Sequence, residues 1–484
     1  MKRYRAILFL MLAVFSLCIV LCGCADDPVP EDAAGGSSNE STGADYETTL
    51  FDTGFVHRID IRISEEDWQD LLADPVEKTK YKVDIEIDGE EIKDVSFSTK
   101  GNSSLVFVAA DPESSRYSFK VSFGKYVDGQ TYHGLNKLNL NNSFRDATYL
   151  KEYFSYEMFR QVGVPAPLVS YVWLTVNGSD YGLYLAVEDE SESFLDRAYD
   201  GNGVIYKPES KDLGLSVDMI DEIRENGLSM TSDPHGSDLV YRDDDPESYP
   251  DIFENAVTDA GEQDDRAVIA AIKCLSEGTD PGAYLDTDEI VRYYAAHNFV
   301  LNYDSYTGAM LHNLVLVESD GRLALVPWDY NLSFGAFVPG IGDDVLEDAT
   351  ALLNRGIDSP LIGASEDSRP MWRWIVNDDA YRRAYHAALN DLAAGYFESG
   401  EFDREFNDMY EMLLPYVEKD PTAFYSAEEY ETGCEVLRQF CERRAESVRL
   451  QLDGALAPCS EDQLEQDRVD ASDLNIVDMG AAVF

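Results

Sequence analysis

Two aspartates and one asparagine each follow an apolar run in the second half of this 484-residue chain. Asp304 and Asn313 lie in HNFVLNYDSYTGAMLHN, and Asp329 lies in ALVPWDYNLSFG, where a buried strand would otherwise continue. Carboxylate and amide oxygens are hard ligands of the kind that Mg²⁺ accepts, and a carboxylate can also take the proton of an attacking hydroxyl. The three side chains match the acidic end of a nucleotide site, although Asp and Asn are also ordinary turn formers.

A phosphoryl-transfer site also needs a cation that is held by a carboxylate on a helix. The stretch ATYLKEYFSYEMFRQVG predicts such a helix, because Asp146 can cap its start and Gly163 can cap its end. Burial of a carboxylate without a partner is costly, so we expect Glu157 of this helix to pair with a cation. Glu157 falls within the apolar stripe formed by Leu150, Phe154, Met158 and Val162.

Three lysines on or near predicted strands are candidates for that cation. Lys137, in KLNLNN, lies just before the predicted helix and is the favoured phosphate-binding residue, and Lys120, in YSFKVSF, is the second candidate. Lys100 begins the stretch KGNSS, which predicts either a small phosphate-covering turn or an ordinary hairpin. The candidate nucleotide-binding residues are therefore Lys137, Lys120, Lys100 and Glu157.

The elements that must position these residues predict an α+β protein. Alternating apolar and polar residues predict four or five strands before residue 145, and Asn177-Gly178 predicts a hairpin that joins two more. We expect a β-rich N-terminal lobe with one helix over 49–190 and a mostly helical C-terminal lobe over 191–457. This is the two-lobed layout of a protein-kinase-like fold.

Two acidic segments interrupt or follow the predicted helical lobe. The segment at about 208–262 has few apolar runs and is expected to be a long loop or lid. The tail over 458–484 is expected to be disordered. Neither segment is assigned a chemical role from its sequence.

The N-terminus is typical of a secreted lipoprotein. Basic residues precede an apolar run that ends in LCGC, which resembles a bacterial lipobox, so residues 1–23 are predicted to be a signal peptide and Cys24 to be lipidated. Residues 24–48 are predicted to be a flexible acidic tether. The alternative is an uncleaved N-terminal anchor, because the apolar run is nearly long enough to span a bilayer. Either interpretation predicts an extracytoplasmic protein attached to the bacterial cell membrane.

The overall composition limits the possible partners and metals. The formal net charge of −55 opposes binding to nucleic acid. The six histidines have no paired spacing, so His297 is expected to be packed or hydrogen-bonded rather than to bind zinc. Four cysteines follow Cys24, and their pairing is left open: Cys274, Cys434, Cys441 and Cys459.

The order of several motifs resembles the spore-coat CotH kinase-like family. The matching stretches include TKGNSSL, KLNLNNSFRDATYLKEYFSYEMFRQVGVPAP, GLYLAVEDESESFLDR, NYDSYTGAMLHN and VPWDYNLSFG. The resemblance implies that Asp304 is the catalytic aspartate, that Asp329 binds metal, and that Asn313 is the catalytic-loop asparagine. Here Asn313 lies nine positions after Asp304, whereas the ordinary kinase signature has five.

This resemblance implies an atypical protein kinase with ATP and Mg²⁺ or Mn²⁺ as cofactors. Its substrates would be hydroxyl side chains of proteins at the cell surface or spore coat. Two alternatives remain: a noncatalytic cell-envelope module for binding or assembly, and a transferase that acts on a surface polymer.

Overall fold

The computed structural model describes residues 45–209, 216–220, 234–337 and 348–480. The predicted signal peptide, Cys24 and most of the predicted tether lie outside the described residues. None of the described helices is both long enough and apolar enough to cross a membrane. The described residues belong to one compact unit.

Within the described residues, seven strands close into a barrel. These strands are β1 (His57–Arg62), β2 (Tyr81–Ile87), β3 (Glu90–Lys100), β4 (Ser118–Ser122), β5 (Lys137–Asn141), β6 (Val169–Val176) and β7 (Ser179–Glu188). They are arranged in the order β1-β2-β3-β4-β5-β7-β6. All neighbouring strands are antiparallel except β1 and β6, whose parallel pairing closes the barrel.

The barrel interior is filled by the apolar residues of the alternating strand pattern. Successive strand residues point to opposite faces, so every second residue of β1 and β2 is buried. The interior cluster includes Ile59, Ile61, Val83, Ile85, Phe97, Phe119, Leu138, Leu140, Val172 and Leu174.

Three helices are inserted into the barrel sequence. They are α1 (Glu65–Ala73), α2 (Ser103–Ala109) and α3 (Lys151–Gln161). Helix α3 begins at Lys151, four residues later than an N-cap at Asp146 predicts, yet Asp146 still accepts a hydrogen bond from the Lys151 backbone N–H at 3.1 Å. The expected stripe of α3 is buried, and the helix packs against Tyr171, Leu183 and Leu185 on the outer face of the barrel.

The rest of the described chain is mostly helical, with one small antiparallel sheet. Helix α4 (Glu192–Ala198) precedes the sheet, which has the strand order β10-β9-β8. Its strands are β8 (Val204–Tyr206), β9 (Leu314–Ser319) and β10 (Arg322–Pro327). The other helices are α5 (Pro250–Phe253), α6 (Glu262–Glu277), α7 (Thr287–Val300), α8 (Ala349–Leu353), α9 (Pro370–Asn377), α10 (Asp379–Leu392), α11 (Glu401–Val417) and α12 (Ala427–Leu452). The α+β class is therefore confirmed.

Both acidic segments contain residues that pack into the main core, which contradicts the expectation that the tail is disordered. In the described part of the insertion, Leu239, Tyr249 and Ile252 are fully buried. In the tail, Ile476 and Met479 are buried against the helices. A few well-spaced apolar residues are enough to anchor each segment, although its average composition is acidic.

The four cysteines named above are free thiols in the described structure. Cys434 and Cys441 lie on the same regular helix, α12, so they are separated by about two helical turns. This separation is too long for a disulfide between them.

Candidate functional site

Asp304 and Asn313 lie in the loop that connects α7 to β9. The Asn313 side-chain N–H donates to the Asp304 carboxylate at 3.0 Å, so the amide predicted nine residues away is in direct contact with it. Burial and, to a lesser degree, the nearby charge of Asp329 together raise the pKa of Asp304 to about 8. The two aspartates predicted from the sequence are therefore close enough to interact electrostatically.

Two features fix the shape of the Asp304 loop: a tight turn inside the loop and an arginine that directly precedes α9. A side chain at Gly308 would overlap the carbonyl oxygen of Tyr303, so only glycine fits this turn. Arg369, directly before α9, donates to the backbone oxygens of Tyr306 at 2.5 Å and Gly308 at 2.6 Å. These contacts give the loop a defined shape around Asp304.

Asp329 lies two residues after the end of β10 and adopts a left-handed conformation with φ of 56°. Asn313 is also left-handed, with φ of 53°. Asp and Asn tolerate this conformation better than other residues with side chains, and such positions are concentrated at functional sites. The Asp329 backbone N–H donates to the hydroxyl of Tyr156 on α3 at 3.0 Å. The turn after β10 is therefore strained, and it contacts helix α3.

The carboxylate that α3 contributes to this site belongs to Glu152. It accepts hydrogen bonds from Asn141 of β5 at 2.9 Å and from Tyr156 at 3.0 Å. Burial and the charge of Asp329 raise the pKa of Glu152 to about 7, against the opposing effects of Asn141 and Lys100. Glu152 is therefore connected to Asp329 through both charge and the Tyr156 hydroxyl.

Lys100 provides the cation nearest to this pair of carboxylates. Its ammonium donates to the Asn141 side-chain oxygen at 2.7 Å and lies 5.0 Å from the ring centroid of Trp328. Burial lowers the pKa of Lys100, while the charges of Asp329 and Glu152 act in the opposite direction. Asn141 consequently bridges Lys100 and Glu152.

A second group of charges adjoins Lys100. Lys120 donates to Asp189 at 2.6 Å, and Lys207 lies 2.7 Å from Glu190 and 3.6 Å from the Trp328 centroid. Burial alone would raise the pKa of Asp189, but Lys120 and Lys207 hold it below its usual range. Burial raises the pKa of Glu190 to about 7. Trp328 is therefore in contact with two lysine ammonium groups, Lys100 and Lys207.

Lys137 and Glu157 lie away from these residues. Lys137 is at the start of β5, four residues or about 13 Å before Asn141, and its ammonium is 3.8 Å from the exposed Glu192. Glu157 is five residues after Glu152, which rotates it by about 140° around the helix. Its cation is Arg160 of the same helix, at 2.9 Å, so the expected lysine partner is replaced by a neighbouring arginine.

The KGNSS stretch does not form a hairpin, and the alternative of a phosphate-covering turn stays a prediction. Strand β3 ends at Lys100, Gly101 has φ of 108°, and α2 begins at Ser103. The left-handed glycine lets the chain pass directly from strand to helix. Lys100 is thereby held at the end of a barrel strand.

Several residues of the site were not predicted from the sequence: Asn141, Glu152, Tyr156, Asp189, Glu190, Lys207 and Trp328. Glu152 and Tyr156 have the i, i+4 spacing of side chains that meet on a helix, and Trp328 directly precedes Asp329. These two signals could have identified Glu152 and Trp328 from the sequence. The position of Lys207 depends on the pairing of β8 with β9, which its local sequence does not indicate.

The donor set is suitable for a hard divalent cation. No group of three or more His, Cys, Asp or Glu side chains in the described part of the chain has the geometry of a metal site. Mg²⁺ requires fewer protein ligands, because it retains several waters and often binds one or two carboxylates together with substrate phosphates. The repulsion that raises the pKa of Asp304 would be relieved by a cation near Asp329.

One protein-family model and two known proteins are similar to this chain. The family model described as CotH kinase protein matches residues 97–448. Inner spore coat protein H of Bacillus subtilis (strain 168) is 22% identical over 401 residues, which cover 82% of this chain and 95% of that protein. The inner spore coat protein H-like protein of the same organism is 30% identical over 93 residues, or 19% of this chain and 29% of that protein. The resemblance inferred from the sequence is thus confirmed, and the chain belongs to the CotH kinase protein family.

Proposed function

We propose that the protein is an atypical protein kinase that transfers the γ-phosphate of ATP to hydroxyl side chains of proteins. Asp304 and Asp329 carry the proposal, because the fold brings them together from separate loops and their charges interact. Two carboxylates are costly to hold together in a buried site unless a cation or a proton offsets their repulsion. In this proposal the barrel with α3 and the helical part act as two lobes around the nucleotide.

Asp304 has the role of orienting the acceptor hydroxyl and accepting its proton. Its raised pKa, near 8, matches a group that exchanges a proton near neutral pH. The hydrogen bond from Asn313 fixes the orientation of its carboxylate. The orientation of the Asp304 carboxylate is therefore fixed, and its proton affinity suits general base catalysis.

Lys100 has the role of holding phosphate oxygens, and Glu152 the role of positioning Lys100 through Asn141. This assignment replaces the Lys137 and Glu157 pair expected from the sequence. Lys120 and Lys207 extend the positive charge beyond Lys100 and are further candidates for the nucleotide phosphates. The site therefore contains several lysine ammonium groups beside several carboxylates rather than one isolated charge pair.

Asp329 and Asn313 would hold Mg²⁺ or Mn²⁺. Because the Asn313 amide N–H faces Asp304, the amide oxygen is left as the donor for the cation. When bound, the metal would neutralise the negative charge of the phosphates. The residues themselves determine where the acceptor hydroxyl and the phosphates lie.

The proposed location is the outer face of the bacterial cell membrane, with lipid attached to Cys24. The protein substrate would then be exposed at the cell surface or in a spore coat. One relative with full-length similarity is named as an inner spore coat protein, which supports a surface or coat location for this chain. Metabolic labelling with an alkyne fatty acid tests the anchor, because the label should disappear in Cys24→Ala.

Incubation of the chain without residues 1–24 with labelled ATP and Mg²⁺ or Mn²⁺ tests the kinase activity. A mixed library of Ser-, Thr- and Tyr-containing peptides serves as acceptor, and mass spectrometry identifies the products. We expect metal-dependent phosphate on hydroxyl side chains, and we expect Asp304→Ala and Asp329→Ala each to abolish it. Label on a glycan or other polymer alone would support the surface-polymer transferase instead. Absence of nucleotide binding with either metal would support the noncatalytic envelope module.

A further inference from the structure

His297 connects the two loops that carry the acidic residues. It lies near the end of α7 with 1% of its surface exposed, and both ring nitrogens are hydrogen-bonded. Nδ1 is 2.7 Å from the hydroxyl of Tyr330, the residue after Asp329. Nε2 is 2.7 Å from the hydroxyl of Thr307, three residues after Asp304. One imidazole therefore contacts both loops directly.

Tyr293, one turn earlier on α7, reinforces the contact with the Asp329 loop. Its hydroxyl is 3.0 Å from that of Tyr330, and its ring stacks on His297 at 5.6 Å with an interplanar angle of 10°. Farther along the same loop, the Gly335 backbone N–H donates to the carbonyl oxygen of Leu301, at the end of α7, at 3.2 Å. The Asp329 loop is thus fixed to α7 on both sides of the turn.

The protonation state of His297 suits a bridge between hydroxyls. Burial lowers the pKa of His297 to about 3, so the ring is neutral at physiological pH. A neutral imidazole has one donor and one acceptor, and a hydroxyl can take either role. Both hydrogen bonds can therefore form at once without placing another charge beside Asp304 and Asp329.

We propose that His297 is a positioning residue that sets the separation of Asp304 and Asp329 by bridging Thr307 and Tyr330. The inference rests on the proposed function, because the benefit of a fixed separation is metal binding and proton transfer at those carboxylates. The charges of the two carboxylates interact, and the bridge holds their loops at one separation without help from a cation. His297 provides it through hydrogen bonds rather than through charge.

Two substitutions, each of which removes one hydroxyl, test the two sides of the bridge separately. Tyr330→Phe removes the hydroxyl on the Asp329 side, with its contacts to both His297 and Tyr293, and should raise the Mn²⁺ concentration for half-maximal binding about tenfold. Thr307→Val removes the hydroxyl on the Asp304 side and should lower kcat about tenfold at saturating Mn²⁺, with unchanged Mn²⁺ affinity. Tyr184→Phe is the matched control, because it removes a buried hydroxyl that bonds Tyr117 inside the barrel.

The experiment uses the full chain in detergent and measures three quantities for each variant: Mn²⁺ binding by electron paramagnetic resonance, turnover, and Tm. If His297 bridges the loops, the Tm losses of Tyr330→Phe and Thr307→Val should be less than additive, because either change already breaks the connection. Tyr184→Phe should add its Tm loss independently to each of them. Additive Tm losses, or equal effects of all three variants on metal binding and kcat, would overturn the inference.

The same design distinguishes failure of the inference from failure of the proposed function. If the wild-type chain neither binds Mn²⁺ nor transfers phosphate, the proposed function fails, while non-additive Tm losses still support a bridge between the loops. If the wild-type chain is active but the two variants behave like Tyr184→Phe, the inference fails and the proposed function stands.

Discussion

At the scale of single residues, burial and mutual repulsion make the charges of the site sensitive to pH. The pKa of Asp304 is raised to about 8 and that of Glu152 to about 7, both mainly by burial. Each group therefore retains its proton in the folded protein over a pH range in which the unfolded chain has released it. Asp329 contributes to both shifts through its charge, so a change at Asp329 would alter the pKa values of both Asp304 and Glu152.

We predict that replacement of Asp304 by Asn will flatten the dependence of stability on pH. Between about pH 4 and pH 8 the folded wild type holds a proton at Asp304 that the unfolded chain lacks, so the free energy of unfolding falls as pH rises. Without metal, the Tm of Asp304→Asn should therefore fall less from pH 5 to pH 8 than that of the wild type, by at least about 2 °C. Asp367→Asn, at an exposed carboxylate, should follow the wild-type curve, whereas parallel curves for Asp304→Asn would contradict the prediction.

A second prediction concerns the lysine that holds the phosphates. Lys100→Met should lower kcat/KM for ATP by about 100-fold, because it removes the cation nearest to Glu152 and Asp329. Lys137→Met is the control and should change kcat/KM less than about twofold, because the Lys137 ammonium pairs with an exposed carboxylate, Glu192, at the strand start. Steady-state kinetics and titration with a fluorescent nucleotide provide the measurement. A larger loss in Lys137→Met would restore the assignment made from the sequence.

At the scale of elements, the site depends on the order of strands around the barrel. Lys100 is on β3 and Asn141 is on β5, and β4 runs between these two strands. The three strands lie side by side, so the two side chains meet across β4. The Tyr156 hydroxyl on α3 then connects this face of the barrel to the turn after β10. A change in the register of one strand would therefore separate Lys100 from Glu152.

The contrast between the two lysines indicates what local sequence can predict. Alternating residues predicted most of the strands, and two strand-end aspartates and an amide predicted a common acidic site. The pairing partner of each strand depends on barrel closure, which involves residues more than 100 positions apart in β1 and β6. For that reason Lys137, close to α3 in sequence, was favoured over Lys100, which is closer to Glu152 in space.

We predict that Arg116 is essential for the attachment of the helical part to the barrel. Arg116 is fully buried and pairs with the equally buried Asp420, in the connection between α11 and α12, at 2.9 Å. Asp420 also accepts the backbone N–H of Leu183 in β7 at 2.9 Å. Arg116→Met leaves that carboxylate buried without its cation and should lower the free energy of unfolding by about 3–5 kcal/mol.

Chemical denaturation checks this prediction against two further variants. Arg62→Met removes a more exposed arginine that contacts Glu86 and Glu91, and it should change stability little. The double variant Arg116→Met/Asp420→Leu should be more stable than Arg116→Met alone, because it removes the unpaired charge. Equal losses in Arg116→Met and Arg62→Met would contradict the importance of burial.

At the scale of the whole molecule, the dominant electrostatic feature is the net charge of −55. Such an excess of one sign destabilises the compact state through self-repulsion. We therefore predict that the Tm rises as NaCl is increased from 0.01 M to 0.15 M, where the Debye length falls from about 30 Å to about 8 Å. Differential scanning calorimetry at fixed pH provides the measurement, and a fall in Tm would mean that surface ion pairs outweigh the repulsion.

The tail packs against the start of α3, which connects the end of the described chain to the proposed site. The Lys151 ammonium donates to the carbonyl oxygen of Gly480 at 2.5 Å, and the Ala147 backbone N–H donates to that of Met479 at 3.1 Å. Glu152 is therefore next to a residue that is held by a partner synthesised 329 positions later. A nascent chain emerging from the ribosome or the export channel cannot assemble this end of α3 until that late segment arrives. In the same way, a protease that cleaves this late segment would inactivate the site without cleaving at any residue of the site.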